Sequence, residues 1–124
     1  MPALEPLRGL RVIADPAALD AAHWQGTDVM VLRFAPDDAF AIGVESVDID
    51  DQHAIVESEV GFVGGWLPVD AIERHVEWPL PDARPALAQG FVATVPAKVW
   101  LPDAGHALLL TAAAYADELA GRLR

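Results

Sequence analysis

The stretch Phe91-Val92-Ala93-Thr94-Val95-Pro96-Ala97-Lys98-Val99-Trp100-Leu101 decides the predicted fold, because apolar residues recur in it at every second position. Successive side chains of a β-strand point to opposite faces of the sheet. The odd-numbered residues from Phe91 to Leu101 would share one face, with Lys98 and Trp100 on the other. Proline gives no N–H group to a β-ladder, so Pro96 indicates an edge strand or a bulge. The pattern predicts one strand over residues 91–101.

The residues after this strand predict a reversal of the chain and a final helix. Pro102-Asp103-Ala104-Gly105 has the composition of a turn, and the apolar run from His106 to Leu110 is typical of a second strand. Thr111 is a favourable N-cap residue. We therefore expect a helix from Thr111 to Leu123.

The first half of the chain predicts a strand, a helix and a hairpin. Leu7 to Ala14 is mostly apolar, and Asp15-Pro16 is a helix-start signal for a short helix over Ala17 to Trp24. Two apolar runs, Asp28 to Phe34 and Ala39 to Val44, flank a turn-like Pro-Asp-Asp sequence. These two runs are expected to pair.

The middle of the chain is predicted to contain two short strands and a helix. Ser46 to Gln52 is acidic and loop-like, whereas His53 to Glu57 and Gly61 to Leu67 have strand composition. Apolar residues at helical spacing follow Pro68, which indicates a short helix ending near Trp78. A proline-rich connection over residues 79–85 is expected to be an ordered loop.

Taken together, these elements predict an α+β fold. Hairpins alternate with helices along the chain, so we expect a mostly antiparallel sheet with two or three helices packed on one face. A chain of 124 residues is in the commonest size range for one domain. Residues 1–124 are therefore predicted to form a single domain.

Composition excludes several classes of partner. The formal net charge is -11, with 19 acidic and eight basic residues. Such a surface repels nucleic acid and anionic lipid, so neither is predicted as a partner. The sequence has no cysteine, which agrees with a reducing compartment. No apolar run is long enough to cross a bilayer, and we expect a cytoplasmic protein.

Motifs for catalysis and metal binding are weak. The four histidines, His23, His53, His75 and His106, lack the close helical spacing of metal ligands. The acidic run from Asp48 to Asp51 lacks the glycine that a calcium loop needs at its sixth position, where His53 stands. Neither serine has the Gly-x-Ser-x-Gly setting of a hydrolase. We predict no catalytic residue, metal or cofactor, and favour a protein that is not an enzyme.

The tryptophans supply the leading hypothesis. Trp66 shares a strand face with Phe62, and Trp100 shares one with Lys98. Exposed aromatic residues anchor protein partners or flat ring ligands. The sequence thus favours a non-catalytic binding or assembly module acting through an apolar, tryptophan-containing surface. Its partner would be another protein or a second copy of the chain, and the simplest homodimer would use the edge strand near Pro96.

The alternative hypothesis is a small-ligand or enzymatic domain. Its pocket would use Arg33, Gln89, Lys98 and Glu57 as polar groups between apolar walls. Spacing alone does not pair these residues with a nucleophile or a base. The sequence therefore leaves open whether a small molecule or a protein is bound.

A family resemblance covers about half of the chain. It comprises Gly61-Phe62-Val63-Gly64-Gly65-Trp66-Leu67, Ala88-Gln89-Gly90, the strand Val92 to Trp100, Leu108-Leu109-Leu110 and Ala114-Tyr115-Ala116-Asp117-Glu118-Leu119. In this succession the sequence resembles the small gamma subunit of heterotetrameric sarcosine oxidases and, by layout, the related domains of aminomethyltransferases. The resemblance implies a folate-handling domain or an accessory subunit of an oxidoreductase complex. It assigns no ligand-contacting residue here.

Overall fold

The computed structural model describes residues 4–124, and in that range it contains seven strands and three helices. The strands are β1 (Glu5–Ile13), β2 (His23–Ala35), β3 (Asp38–Asp48), β4 (Ile55–Pro68), β5 (Ala86–Val92), β6 (Val95–Leu101) and β7 (His106–Ala112). The helices are α1 (Pro16–Asp20), α2 (Val69–Glu73) and α3 (Ala116–Arg122), and a 3₁₀ turn at Ala113–Tyr115 precedes α3.

The chain divides into two compact units. The N-terminal unit comprises Leu7–Val60, and the C-terminal unit comprises Gly61–Arg124 with the described residues 4–6. The strand order is β2-β3-β1 in the N-terminal unit, which also contains residues 55–60 of β4, and β4-β7-β6-β5 in the C-terminal unit, which contains the rest of β4. These neighbouring strands run antiparallel. The single domain predicted for residues 1–124 stays a prediction.

The predicted α+β fold, with helices packed on one face of the sheet, is wrong. Within residues 4–124 the helices are five, five and seven residues long. One or two helical turns do not make a layer. Several residues that were expected in helices lie in strands. β2 begins at His23, inside the expected first helix, and β7 extends to Ala112, past the expected start of the last helix at Thr111. The fold is a mostly antiparallel β-structure with short connecting helices.

The core of the C-terminal unit lies on one face of its four strands. Val95, Ala97, Val99 and Leu101 of β6 are all buried there, as the alternating pattern of the sequence predicted. Ile72 of α2 packs into the same cluster. Burying side chains of this size contributes roughly 1.5–3 kcal/mol each. Val69, Leu119 and Leu123, from or beside the short helices, complete the cluster.

The predicted strand over residues 91–101 is in fact a hairpin. β5 ends at Val92, β6 begins at Val95, and these two residues pair across the turn. Ala93 and Thr94 have φ angles of 50° and 64°, as in a type I′ turn. Such turns favour Asn and Gly, so the sequence carried no signal for this one. Arg122 donates to the Ala93 carbonyl at 3.0 Å and to the Thr94 hydroxyl, which holds the turn.

The edge position predicted for Pro96 is wrong. β6 lies between β7 and β5. Proline is tolerated there because the β6–β7 ladder stops at the Lys98–Leu110 pair, before reaching it.

Thr111 does not cap a helix. Its side chain is buried, and its hydroxyl donates to the Pro96 carbonyl at 2.7 Å.

The N-terminal unit contains the predicted β2–β3 hairpin. Pro16 begins α1 as expected, although the Asp15 side chain does not cap it. The loop predicted over 46–52 is shorter, because β3 continues to Asp48. The two strands expected from His53 to Leu67 are one continuous strand, β4. A second core cluster contains Val12, Ala14, Leu19 and Ala39.

Asp103 stabilises the turn between β6 and β7, where the sequence predicted one. Its Oδ1 atom accepts hydrogen bonds from the backbone N–H groups of Gly105 at 2.8 Å and His106 at 3.3 Å. These bonds lower the pKa of Asp103 below the usual value for an aspartate. The charged form of the carboxyl group is therefore favoured in the folded state.

We expect Asp103→Ala to lower the melting temperature by a few degrees near neutral pH. A carboxyl group whose pKa is depressed by folding stabilises the folded state above its unfolded pKa, and this contribution is lost as the pH falls through the folded pKa. The difference from the original protein should therefore shrink as the pH falls from neutral to below about 3.9, the usual pKa of an aspartate. Melting temperatures measured across this pH range for the original protein and the Asp103→Ala variant give the difference. Asp82→Ala, at an exposed position, is the control. A difference that is constant with pH would contradict the prediction.

Candidate functional site

One face of the C-terminal unit brings together five of the six predicted site residues. Because side chains alternate along a strand, Phe62 and Trp66 of β4 lie on the same face as Lys98 and Trp100 of β6. Gln89 of β5 is the fifth residue on this face. Two rows cross all four strands: Trp66, Leu108, Trp100 and Leu87 form one, and Gly64, Leu110, Lys98 and Gln89 form the other.

A sixth residue, Phe91, lies on the same face at the end of β5. It pairs with Pro96, which shares a side of β6 with Lys98. Sequence reasoning placed Phe91 opposite Lys98, because it treated residues 91–101 as one strand. The Ala93-Thr94 turn reverses the chain and brings both residues to one face. We call this surface the tryptophan face; its residues are Phe62, Trp66, Gln89, Phe91, Lys98 and Trp100.

The aromatic residues of the tryptophan face differ in exposure. Trp66 is 46% exposed and Phe91 is 62% exposed, whereas Phe62 and Trp100 are half-buried. Leu108 and Leu110, on the same face of β7, are buried. The two exposed aromatic side chains therefore lie on β4 and β5, the outer members of the four-stranded order.

The polar groups of the tryptophan face bond to each other. The ammonium Nζ atom of Lys98 donates to Oε1 of Gln89 at 2.7 Å. The pair lies in the row between Leu110 and the outer edge of β5. This arrangement orients a cation and an amide between aromatic residues, but it provides no base or nucleophile.

Trp78 holds the outer edge of β5. Its indole N–H group donates to the Phe91 carbonyl at 2.9 Å. Its ring packs so closely on Gly90 that a Cβ atom there would lie 2.9 Å from it. The glycine at position 90 thus allows the tryptophan to cover this part of the edge, which limits unwanted strand pairing.

Arg33, the remaining predicted site residue, lies on β2 of the N-terminal unit. Its guanidinium donates to Oδ1 of Asp20 at 2.7 Å and to the Pro36 carbonyl at 2.6 Å. Its Nε atom is buried and has no hydrogen-bond partner in the described part of the chain. These contacts join β2 to α1 and to the following turn, which is a structural role.

Two open grooves lie in the N-terminal unit, and none of the six predicted residues lines either of them. One has a volume of 490 Å³ and is lined by Arg8, Gly9, Leu10, Gly43, Val44, Glu45, Ser58 and Val60. The other is lined by Ala21, His23, Val47, Asp48, Ile49 and Asp50. Among residues 4–124, no group of three or more His, Asp or Glu side chains is arranged to hold a metal ion.

None of the helices described is long and apolar enough to span a membrane.

The fold is similar to that of a chain from an oxidase of known structure. The particular match is a chain of the heterotetrameric sarcosine oxidase from Corynebacterium sp. U-96, solved in complex with pyrrole 2-carboxylate. The TM-score is 0.66 and the sequence identity is 11%, with 97% of this chain and 79% of that chain covered. This comparison confirms the resemblance to sarcosine oxidase at the level of the fold. The layout shared with aminomethyltransferases stays a prediction.

No protein-family model matches the sequence, and no curated protein matches it.

Proposed function

We propose that the chain is a non-catalytic accessory subunit of an oxidoreductase complex and that it binds a partner subunit through the tryptophan face. The observation that carries the proposal is the fold, which over 97% of the chain matches a chain of a heterotetrameric oxidase. One fold serves many functions, so the proposal also needs support from the surface. We also propose a cytoplasmic location for the chain, which agrees with its lack of cysteine.

The tryptophan face supports a protein partner rather than one flat ring ligand. Trp66 and Phe91 are its exposed aromatic residues, and they lie on β4 and β5. Three strand spacings separate these strands, about 14 Å in all. A single ring does not cover that distance, whereas the surface of a subunit does. Tryptophan is also enriched among residues that carry most of the binding energy at protein interfaces.

The folate-like ligand of the alternative hypothesis has less support. Lys98 and Gln89 bond to each other, and Arg33 is occupied by Asp20 and Pro36. These groups are therefore already used within the protein. A second copy of the chain is a further candidate partner. The homodimer interface predicted at the edge strand near Pro96 is wrong, because β6 is an inner strand. Light scattering over a concentration series measures the homodimer directly.

Substitution of the exposed aromatic residues tests the proposed interface. A tagged chain, expressed in its own host in place of the original, should co-purify with subunits that show sarcosine-dependent oxygen uptake. Trp66→Ser and Phe91→Ser should each lower the recovered activity by about tenfold or more, because loss of such an anchor costs about 2 kcal/mol. Tyr115→Ser is the matched control, since Tyr115 is also an exposed aromatic residue of the C-terminal unit but lies on the 3₁₀ turn.

Two results would contradict this proposal. The first is recovery of the chain alone, without any oxidoreductase subunit. The second is co-purification of the Trp66→Ser and Phe91→Ser variants at the level of the Tyr115→Ser variant. The second result would show that the complex forms but that the tryptophan face is not its interface.

A further inference from the structure

A groove in the N-terminal unit carries polar groups that the protein itself does not use. It has a volume of 490 Å³ and runs across β1, β3 and β4, where Arg8, Glu45 and Ser58 line it. None of these three side chains forms a hydrogen bond or ion pair with any residue between 4 and 124. In contrast, Arg11 and Arg33, the other basic residues of this unit, are both in ion pairs.

The groove lies on the same face as the second core cluster. Leu10 belongs to both, and side-chain alternation along β1 places Arg8 on the side of Leu10 and Val12. Glu59 of β4 bonds to Arg11, which lies on the opposite side of β1 from Leu10. Alternation along β4 therefore places Ser58 and Val60 on the side of Leu10. The groove is therefore an uncovered continuation of an apolar surface, with one cation and one anion among its lining residues.

We propose that this groove binds a small zwitterion of the amino-acid class, with its carboxylate at Arg8 and its ammonium group at Glu45. Arginine presents several N–H donors in a planar arrangement that suits a carboxylate. Leu10 and Val60 supply apolar contacts for an aliphatic side chain, and the Ser58 hydroxyl supplies a further hydrogen bond. The volume is within the range of small-molecule sites, roughly 300–1,000 Å³.

Charge favours a zwitterion over a simple anion or cation. The N-terminal unit contains 11 acidic and three basic residues, so a simple anion is repelled by the unit as a whole. A simple cation makes no ion pair with Arg8, which is exposed. A ligand with both charges satisfies Arg8 and Glu45 together and adds no net charge. This inference does not depend on the proposed accessory-subunit function.

Titration of the full chain with three related compounds tests the proposal. L-valine carries both charges, 3-methylbutanoate lacks the ammonium group and 2-methylpropylamine lacks the carboxylate. Backbone amide signals of Gly9, Gly43 and Ser58, followed by two-dimensional NMR, should shift saturably with L-valine. Each single-charge analogue should bind on the order of tenfold more weakly, because it loses a charge-assisted hydrogen bond.

Variants assign the two charges to their residues. Arg8→Gln and Glu45→Gln should each weaken L-valine binding by about tenfold. Arg74→Gln and Glu73→Gln, charge changes at the exposed end of α2 in the C-terminal unit, should leave it unchanged. Superposable spectra of the unliganded variants will show that each one is folded.

Three results would overturn the proposal. The first is the absence of a saturable shift with L-valine at about 50 mM, a concentration that detects even weak binding. The second is equal affinity for L-valine and 3-methylbutanoate. The third is unchanged L-valine binding by the Arg8→Gln variant. Co-purification through the tryptophan face is measured separately, so either proposal can fail while the other stands.

Discussion

Gly9→Ala should destabilise the protein by about 3 kcal/mol or more, because the neighbouring strand leaves no room for a side chain. Gly9 of β1 pairs with Ile42 of β3. A Cβ atom at position 9 would lie 1.9 Å from the carbonyl oxygen of Ala41 and 2.7 Å from its carbonyl carbon. Both atoms belong to the backbone, so the clash is relieved only when β1 and β3 separate. Such a movement breaks ladder hydrogen bonds.

Urea denaturation of the original protein and the variant measures this effect. Gly121→Ala in α3 is the control, because a Cβ atom there meets nothing within 4 Å. The control should be neutral or more stable by up to about 1 kcal/mol, since alanine is the better helix former. A Gly9→Ala variant that fails to fold agrees with the expectation. Equal stability of this variant and the original protein would show that β1 does not approach β3 so closely.

Arg11→Met should cost about 2–3 kcal/mol, because it removes the positive charge and the hydrogen bonds that Arg11 gives to two partly buried carboxylates. The guanidinium donates to both carboxylate oxygens of Asp38 at 2.6 and 2.7 Å, and to Glu59 at 3.0 Å. The three side chains are 28%, 22% and 23% exposed. The guanidinium also lies 4.8 Å from the centre of the Phe34 ring. The hydrogen bond to Asp38 is the main reason that the pKa of Arg11 is raised above its usual value.

Two further variants separate charge from packing. Neutralising the carboxylates in the same chain, as Arg11→Met with Asp38→Asn and Glu59→Gln, should recover more than half of the lost stability. Glu118→Gln breaks an ion pair with Arg122 whose side chains are 45–50% exposed, and it should cost less than about 1 kcal/mol. Equal losses for Arg11→Met and Glu118→Gln would contradict a special role for the Arg11 network. Free energies of unfolding from urea titrations decide between these outcomes.

Local pattern predicted several elements well. The alternation of Val95, Ala97, Val99 and Leu101 identified the buried face of β6, and the Pro-Asp-Ala-Gly sequence identified the turn after it. The β2–β3 hairpin was also confirmed. In each case the signal lies within a few consecutive residues, where side-chain periodicity and turn chemistry act directly.

Elements that depended on distant contacts were predicted poorly. Thr111 has the composition of a helix cap, yet pairing with Val63 of β4 placed it in a strand. The Ala93-Thr94 turn has positive φ angles at two residues that do not favour them. It is held by Arg122, which is 28 residues away from Thr94. No local pattern encodes such a contact, so the hairpin was mistaken for a single strand.

The sequence by itself determined the acidic charge, the absence of cysteine chemistry, the alternating strands and the aromatic residues from which a binding surface is built. The tertiary structure alone decided that Phe62, Trp66, Gln89, Lys98 and Trp100 share one face, that Phe91 joins them and that Arg33 is used elsewhere. The physical reason is that strand register joins residues far apart in the chain. It is set by the packing and hydrogen bonding of the whole sheet rather than by any short segment.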